Sequence, residues 1–96
     1  MPKALLEIQF TEKAVKNLQT ITRSVSEFTG YASSGIRTLE ELENSISHLS
    51  MFPEMGVKGK VENTRELYHN GYRIVYEIKS KIVLIKTIIH CSKLYP

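Results

Sequence analysis

The sequence predicts an α+β domain in which two helices form a hairpin that packs on one face of a mainly antiparallel sheet. Apolar residues recur at every second position in a short N-terminal segment, then at every third or fourth position through two longer segments, and again at every second position after Gly56. These changes of period give the order strand, helix, helix, strand, strand, strand. With 96 residues, the chain is expected to form a single domain over 1–96, because cores rarely stand alone below about 40 residues.

The first strand is predicted at positions 5–10, where Leu6, Ile8 and Phe10 share one face. Thr11 is a candidate N-cap for the helix that follows, because its hydroxyl can accept a hydrogen bond from a first-turn N–H. We expect this first helix to end at Gly30. Its apolar stripe is formed by Ala14, Leu18, Ile21, Val25 and Phe28.

The second helix has two candidate starting regions. It begins either at Ser33 or Ser34, or at Thr38, whose spacing to Glu41 fits a capping box. Its end is predicted near Ser50, because the proline at position 53 disfavours helical geometry at the residue before it. Two amphipathic helices joined by a short loop favour an antiparallel hairpin. The apolar stripe of the second helix comprises Ile36, Leu39, Leu42, Ile46 and Leu49.

The last three strands are predicted to form a meander. Asn70-Gly71 favours a hairpin turn between the first two of them, because both residues tolerate a positive φ. A second tight connection at Lys79-Ser80 leads into positions 81–90, which are apolar on both faces and therefore typical of a central strand. The first strand of the chain is expected to join this sheet at an edge.

The length of the turn at Asn70-Gly71 decides where two arginines point. A two-residue turn sends Arg65 and Arg73 to opposite faces of the sheet, whereas a three-residue loop over 69–71 places both on one face. The sequence leaves both registers open. If the arginines share the face away from the helices, they form a cationic floor that can pair with phosphates or carboxylates through forked hydrogen bonds.

Basic residues in the C-terminal half are the candidates for a binding site. The net charge is −1 over residues 1–50 and +4 over residues 51–96, so an anionic partner is expected to meet the second half. Arg73 also has a structural interpretation, in which it pairs with Glu66 or Glu77. The candidates for binding a target or a phosphate are Lys58, Lys60, Arg65, Arg73 and Lys93.

Cleavage of RNA would need more than these cations. It requires a base for the 2′-hydroxyl proton, an acid for the leaving oxygen and positive charge for the phosphorane. His90 and Tyr95 are the candidates for proton transfer. Lys60, Arg65 and Arg73 are the candidates for charge stabilisation. Nothing in the spacing of these residues shows that they converge.

Other classes of protein are disfavoured. The sequence contains no P-loop, Rossmann glycine fingerprint, pair of zinc-binding cysteines or Gly-x-Ser-x-Gly elbow, so no metal or cofactor is expected. Cys91 is the single cysteine, which favours a reducing, cytoplasmic location. No apolar run approaches the roughly 18 residues of a membrane span, and the N-terminus lacks a signal-like stretch, so neither export nor a membrane partner is expected.

Four segments carry a resemblance to a known family. Positions 59–67 read GKVENTREL, positions 71–78 read GYRIVYEI, and positions 88–96 read IIHCSKLYP, while positions 49–56 follow the pattern Leu-x-x-x-Pro-x-x-Gly. In their order and spacing, over nearly the whole chain, these segments resemble the RelE/ParE superfamily of toxins from bacterial type II toxin-antitoxin modules. The resemblance places Arg65, Arg73 and Lys93 at basic positions of the family motifs. Asn63 stands where glycine is usual, and position 93 is more often arginine.

The resemblance implies a particular function. The ending His-x-x-Lys-x-x-Pro is similar to that of the ParE branch, whose members poison DNA gyrase. The RelE branch cleaves mRNA on the ribosome with Lys, Arg and Tyr side chains, and typically continues past the point where this chain stops at Pro96. We therefore expect a growth-inhibiting toxin that acts on DNA gyrase and is neutralised by an acidic antitoxin in a hetero-oligomer. The alternatives are a ribosome-dependent mRNA interferase, which would be an enzyme, and a non-catalytic nucleic-acid-binding module.

Overall fold

The computed structural model describes residues 5–96. The strands form one sheet in the order β1-β5-β4-β3-β2, in which β1 runs parallel to β5 and all other neighbours are antiparallel. Both helices contribute to a core on one face of this sheet, which confirms the predicted α+β class and the edge position of the first strand. The elements are β1 (Glu7–Phe10), α1 (Glu12–Thr29), α2 (Ala32–Ser47), β2 (Val57–Lys58), β3 (Arg65–His69), β4 (Tyr72–Lys79) and β5 (Ile82–His90), with a 3₁₀ turn at His48–Ser50.

The two ends of α1 are those that the sequence predicts. At the N-terminus, the Thr11 hydroxyl oxygen accepts a hydrogen bond from the Ala14 N–H (3.1 Å) and the hydroxyl donates to the Lys86 carbonyl (2.9 Å). The cap therefore also ties α1 to β5. At the C-terminus, Gly30 adopts a φ of 80° and its N–H donates to the Ser26 carbonyl (2.9 Å).

The start of α2 is resolved in favour of the earlier region. Tyr31 precedes the helix without a side-chain cap, and Thr38 lies inside it, where its hydroxyl donates to the Ser34 carbonyl (3.1 Å). The start at Thr38 is therefore wrong. The 3₁₀ turn ends at Ser50, as the following proline predicts. Within residues 5–96, neither helix combines the length and apolarity needed to cross a membrane.

The helix stripes are buried only where the sheet lies beneath them. Ala14 and Leu18 are buried in the first half of α1, whereas Phe28 near its end is 92% exposed. Ile36 in the first turns of α2 is 51% exposed, so these two predicted core positions are wrong. The far end of the hairpin is held by contact between the helices themselves. The core consists of Ala14, Leu18, Leu42, Ile46, Leu49, Ile74, Tyr76, Val83, Ile85 and Ile88.

The turn between β3 and β4 has two residues. Asn70 has a φ of 46° and Gly71 a φ of 82°, so the strands close directly around them. Arg65 then lies opposite Tyr76, on the face that packs against the helices, and Arg73 lies on the other face. Of the two registers that the sequence left open, the structure therefore has the one that separates the arginines, and the cationic floor that a three-residue loop would have formed is absent: the turn length fixes the register, and side chains alternate between faces along each strand.

The chain between α2 and β3 is more ordered than the sequence predicts. In this connection, where the sequence predicts no strand, lies β2, whose two residues pair with Glu66 and Arg65 of β3. Tyr76 holds the preceding segment: its fully buried hydroxyl donates to the Pro53 carbonyl (2.7 Å) and accepts from the Gly56 N–H (2.9 Å). Burial also raises the pKa of Tyr76, so the hydroxyl keeps its proton and both bonds.

Replacing Tyr76 with phenylalanine is expected to lower the free energy of unfolding by about 1–3 kcal/mol, because two buried backbone groups lose their partner. Urea denaturation measures the change. Tyr31→Phe is the matched control, since Tyr31 is 69% exposed. Equal stability of the two variants would contradict a structural role for the buried hydroxyl.

Replacing Gly35 with alanine is expected to destabilise the helix hairpin. An added Cβ would collide with the Ser26 hydroxyl oxygen and the Thr22 carbonyl oxygen of α1. Overpacking of this kind costs about 1–3 kcal/mol, more than the gain of about 1 kcal/mol in helix propensity. Thermal denaturation tests this, with Ser33→Ala as control at an exposed position of the same helix. A Gly35→Ala protein as stable as the parent would refute the close helix contact.

Candidate functional site

The face of the sheet opposite the helices holds the candidate site. We call it the open face and define it by Glu66, Tyr68, Arg73 and Val75, which the β3–β4 register places side by side. The chain crosses this face in two places, with the loop before β3 and with the segment that follows β5. The second crossing brings Tyr95 over the middle of the sheet, beside Arg73.

Arg73 lies at the centre of the open face and is only 8% exposed. Its Cζ atom is 5.6 Å from the centre of the Tyr68 ring and 5.1 Å from the centre of the Tyr95 ring. At these distances the π electrons of both rings attract the guanidinium. The two tyrosines therefore hold the cation and also cover much of it.

Glu66 supplies the counter-charge. Its Oε1 atom lies 3.2 Å from Arg73 Nε and accepts a hydrogen bond from the Tyr68 hydroxyl (2.6 Å), while Oε2 accepts from the Lys60 N–H (2.8 Å). Burial raises the pKa of Glu66, but the two hydrogen bonds and the Arg73 charge outweigh this and lower it overall. The carboxyl group is therefore ionised at neutral pH. Pairing of Arg73 with Glu66, the structural interpretation from the sequence, is confirmed.

The contact between Arg73 and Glu66 is an ion pair rather than a well-aligned hydrogen bond. The Nε atom of Arg73 is buried, yet it has no partner with hydrogen-bond geometry within residues 5–96. The attraction between Arg73 and Glu66 therefore depends on charge and proximity. The rings of Tyr68 and Tyr95 add cation–π contacts to the guanidinium.

Three of the predicted site residues come together here. Lys60, Arg73 and Tyr95 meet, because the Lys60 Nζ donates to the Tyr95 carbonyl (3.4 Å) and the Tyr95 ring contacts the guanidinium. With Glu66 and Tyr68 they form what we call the Arg73 cluster. Sequence reasoning did not single out Tyr68; the two-residue register, which sets it opposite Arg73, is the signal that identifies it.

Arg65 and His90 do not join the Arg73 cluster. Arg65 points to the other face, and its Nη1 donates to the Gly56 carbonyl (2.7 Å), which fixes the chain that enters β2. The His90 ring packs edge-on against Tyr72, with 5.2 Å between ring centres, and its Nδ1 accepts from the Ser92 N–H (3.1 Å). Since His90 lies opposite Tyr72 in the sheet, it is directed away from the face that carries Arg73.

Lys58 and Lys93 are separate from the Arg73 cluster as well. Lys58 lies on the edge strand β2 and is exposed, and Lys93 follows β5 and is also exposed. Both remain accessible to a partner as single point charges on flexible side chains.

The Arg73 cluster is suited to binding rather than to proton transfer. It contains no histidine, and its carboxylate is buried and already paired. The hydrogen bond to Glu66 raises the pKa of Tyr68, and burial raises the pKa of Tyr95, so both hydroxyls stay protonated at neutral pH. Within residues 5–96, no three His, Cys, Asp or Glu side chains lie close enough together to hold a metal ion.

Solved structures of several toxins share this fold. The chain matches a protein of the chromosomal ParDE system from P. aeruginosa with a TM-score of 0.82 and 16% identity, covering 92% of this chain and 98% of that one. It matches the RelBE2 complex from Mycobacterium tuberculosis with a TM-score of 0.67 and 22% identity, covering 90% and 98%. A mutant of the E. coli toxin RelE gives a TM-score of 0.62 and 17% identity, covering 90% and 83%. These similarities show a common fold.

The family follows from the sequence match. Comparison with curated protein sequences gives no significant match. The family model described as ParE toxin of type II toxin-antitoxin system, parDE, matches residues 8–95, which is almost the entire chain. The expected resemblance to the RelE/ParE superfamily is confirmed, and the chain belongs to the ParE toxin family of type II toxin-antitoxin systems.

Proposed function

We propose that this ParE-family toxin stops growth by acting on DNA gyrase. The observation that carries the proposal is the match to the ParE family model over residues 8–95. The shape agrees with it, since the chain superposes more closely on the ParDE protein than on RelE. A gyrase inhibitor of this kind needs a surface that engages its target, and it needs no catalytic residues of its own.

The geometry of the open face also favours gyrase over RNA cleavage. A ribonuclease requires a base and an acid within reach of the cations that stabilise the phosphorane. His90 points away from Arg73, and Glu66 neutralises that arginine.

The second candidate function is a ribosome-dependent mRNA interferase, which is favoured by the convergence of Lys60, Arg73 and Tyr95.

We further propose that Lys58, Lys60 and Lys93 contact the target. These lysines are the exposed members of the predicted binding set. Arg65 and Arg73 would then act indirectly, because Arg65 anchors the chain that leads into β2 and Arg73 holds Tyr68 and Tyr95 in place.

An antitoxin is the second proposed partner. The ParDE and RelBE2 structures are of toxin-antitoxin systems, and E. coli YafQ is seen in complex with DinJ. By analogy, this toxin forms a hetero-oligomer with an acidic cognate antitoxin. Both partners would meet it in the cytoplasm.

The purified protein is expected to reduce supercoiling of relaxed plasmid by DNA gyrase, or to trap gyrase-cleaved DNA, and to leave mRNA on translating ribosomes uncut in a toeprint. Relaxation of the supercoiled form of the same plasmid by topoisomerase I controls for effects on the plasmid itself. Unaffected gyrase together with ribosome-dependent cuts would assign the interferase activity instead. Inactivity in both assays, with salt-sensitive binding to RNA or DNA, would leave a nucleic-acid-binding module.

Replacing Lys93 with glutamine is expected to raise the concentration needed for half-maximal gyrase inhibition by up to about fivefold, since an exposed ion pair contributes up to about 1 kcal/mol. Lys93→Arg should retain the activity of the parent. Lys81→Gln removes the same charge from the exposed turn between β4 and β5 and serves as the control. If both glutamine variants lose activity equally, position 93 has no specific role.

A further inference from the structure

The Arg73 guanidinium already has an anion beside it, the carboxylate of Glu66 on the neighbouring strand. Both residues are buried, with 2% of Glu66 and 8% of Arg73 exposed. We propose that Glu66 is an internal ligand of Arg73 that keeps phosphate away from the guanidinium. The open face therefore disfavours nucleic acids as ligands. The inference goes beyond the proposed function, because it concerns nucleic-acid binding whether or not gyrase is the target.

Glu66 is fixed in this position by two further hydrogen bonds. The Tyr68 hydroxyl donates to one carboxylate oxygen (2.6 Å) and the Lys60 N–H donates to the other (2.8 Å). Turning the carboxylate away from Arg73 would break both bonds and deprive the buried Glu66 carboxylate of its partners, which is unfavourable. An incoming phosphate therefore has to bind beside the carboxylate and cannot replace it.

A phosphate beside Glu66 meets repulsion as well as attraction. Glu66 and Arg73 together carry no net charge, and like charges repel strongly where water is largely excluded. The rings of Tyr68 and Tyr95 also restrict access, since both lie within 5.6 Å of the guanidinium carbon. The Nε of Arg73 is buried beside Glu66, so the forked edge that includes this atom is not available for binding phosphate.

The test is the affinity of the full chain for a short fluorescent DNA duplex and a single-stranded RNA, measured over about 50 to 200 mM salt. Glu66→Gln is expected to bind both probes several-fold more tightly than the parent. Its dependence on salt should steepen by about 0.9 on the duplex, the value for one added phosphate contact. The double variant Glu66→Gln with Arg73→Gln should lose this gain. Glu43→Gln is the matched control, because it removes the same charge from an exposed position of α2.

Two results would overturn the inference. One is a gain in Glu66→Gln no larger than that in Glu43→Gln, and the other is a gain that survives the loss of Arg73. A measurement on the unmodified protein covers the case in which Glu66→Gln fails to fold. The NMR resonance of the Arg73 Nε–H is expected to stay in place as inorganic phosphate is added, and a saturable shift would show that the guanidinium is open to phosphate.

Discussion

The two-residue turn at Asn70-Gly71 is the constraint on which the rest of the sheet depends. Positive φ values at both residues close the turn directly, and the pairing then runs without interruption from β3 into β4. Because side chains alternate between faces, a shift of one residue would exchange the core face for the open face. This register directs Tyr76 into the core and brings Glu66 against Arg73, so the length of one turn affects both the packing of the domain and the charge of its exposed sheet.

The two arginines of the sheet are both paired within the protein. Both arginines that could have formed an anion-binding floor are used within the protein, Arg65 on a backbone carbonyl and Arg73 on a buried carboxylate. Within the predicted binding set, the charges that remain accessible belong to separate lysines, which bind anions with little geometric selectivity. Net charge is therefore a weak guide to the ligand of this chain. The assignment to the ParE toxins rests on the family match and the fold, and the arrangement of the open face fits a protein that binds its target.

The helix hairpin is attached to the sheet along only part of its length. Thr11 bonds to the backbone of β5, and Asn17 Oδ1 accepts from the Thr87 hydroxyl and the Ile88 N–H, both at 3.0 Å. Beyond Ile21, which still packs against the core, Gly35 of α2 permits a close approach to Thr22 and Ser26 of α1. The exposed Phe28 lies in this outer part. An apolar stripe predicts the face that a helix can bury, but it contains no information about how far the surface opposite it extends.

The sequence by itself determined the class of fold, the order of its main elements, both ends of α1 and the family, because each depends on features a few residues apart: hydrophobic period, capping chemistry, positive φ and short motifs. Only the tertiary structure decided the two-residue strand β2, which is too short to show a period, and the register that separated the two arginines. It also decided the composition of the Arg73 cluster. Lys60 and Tyr95 meet across 35 positions of the chain, and such a contact depends on how the sheet is assembled rather than on any local preference.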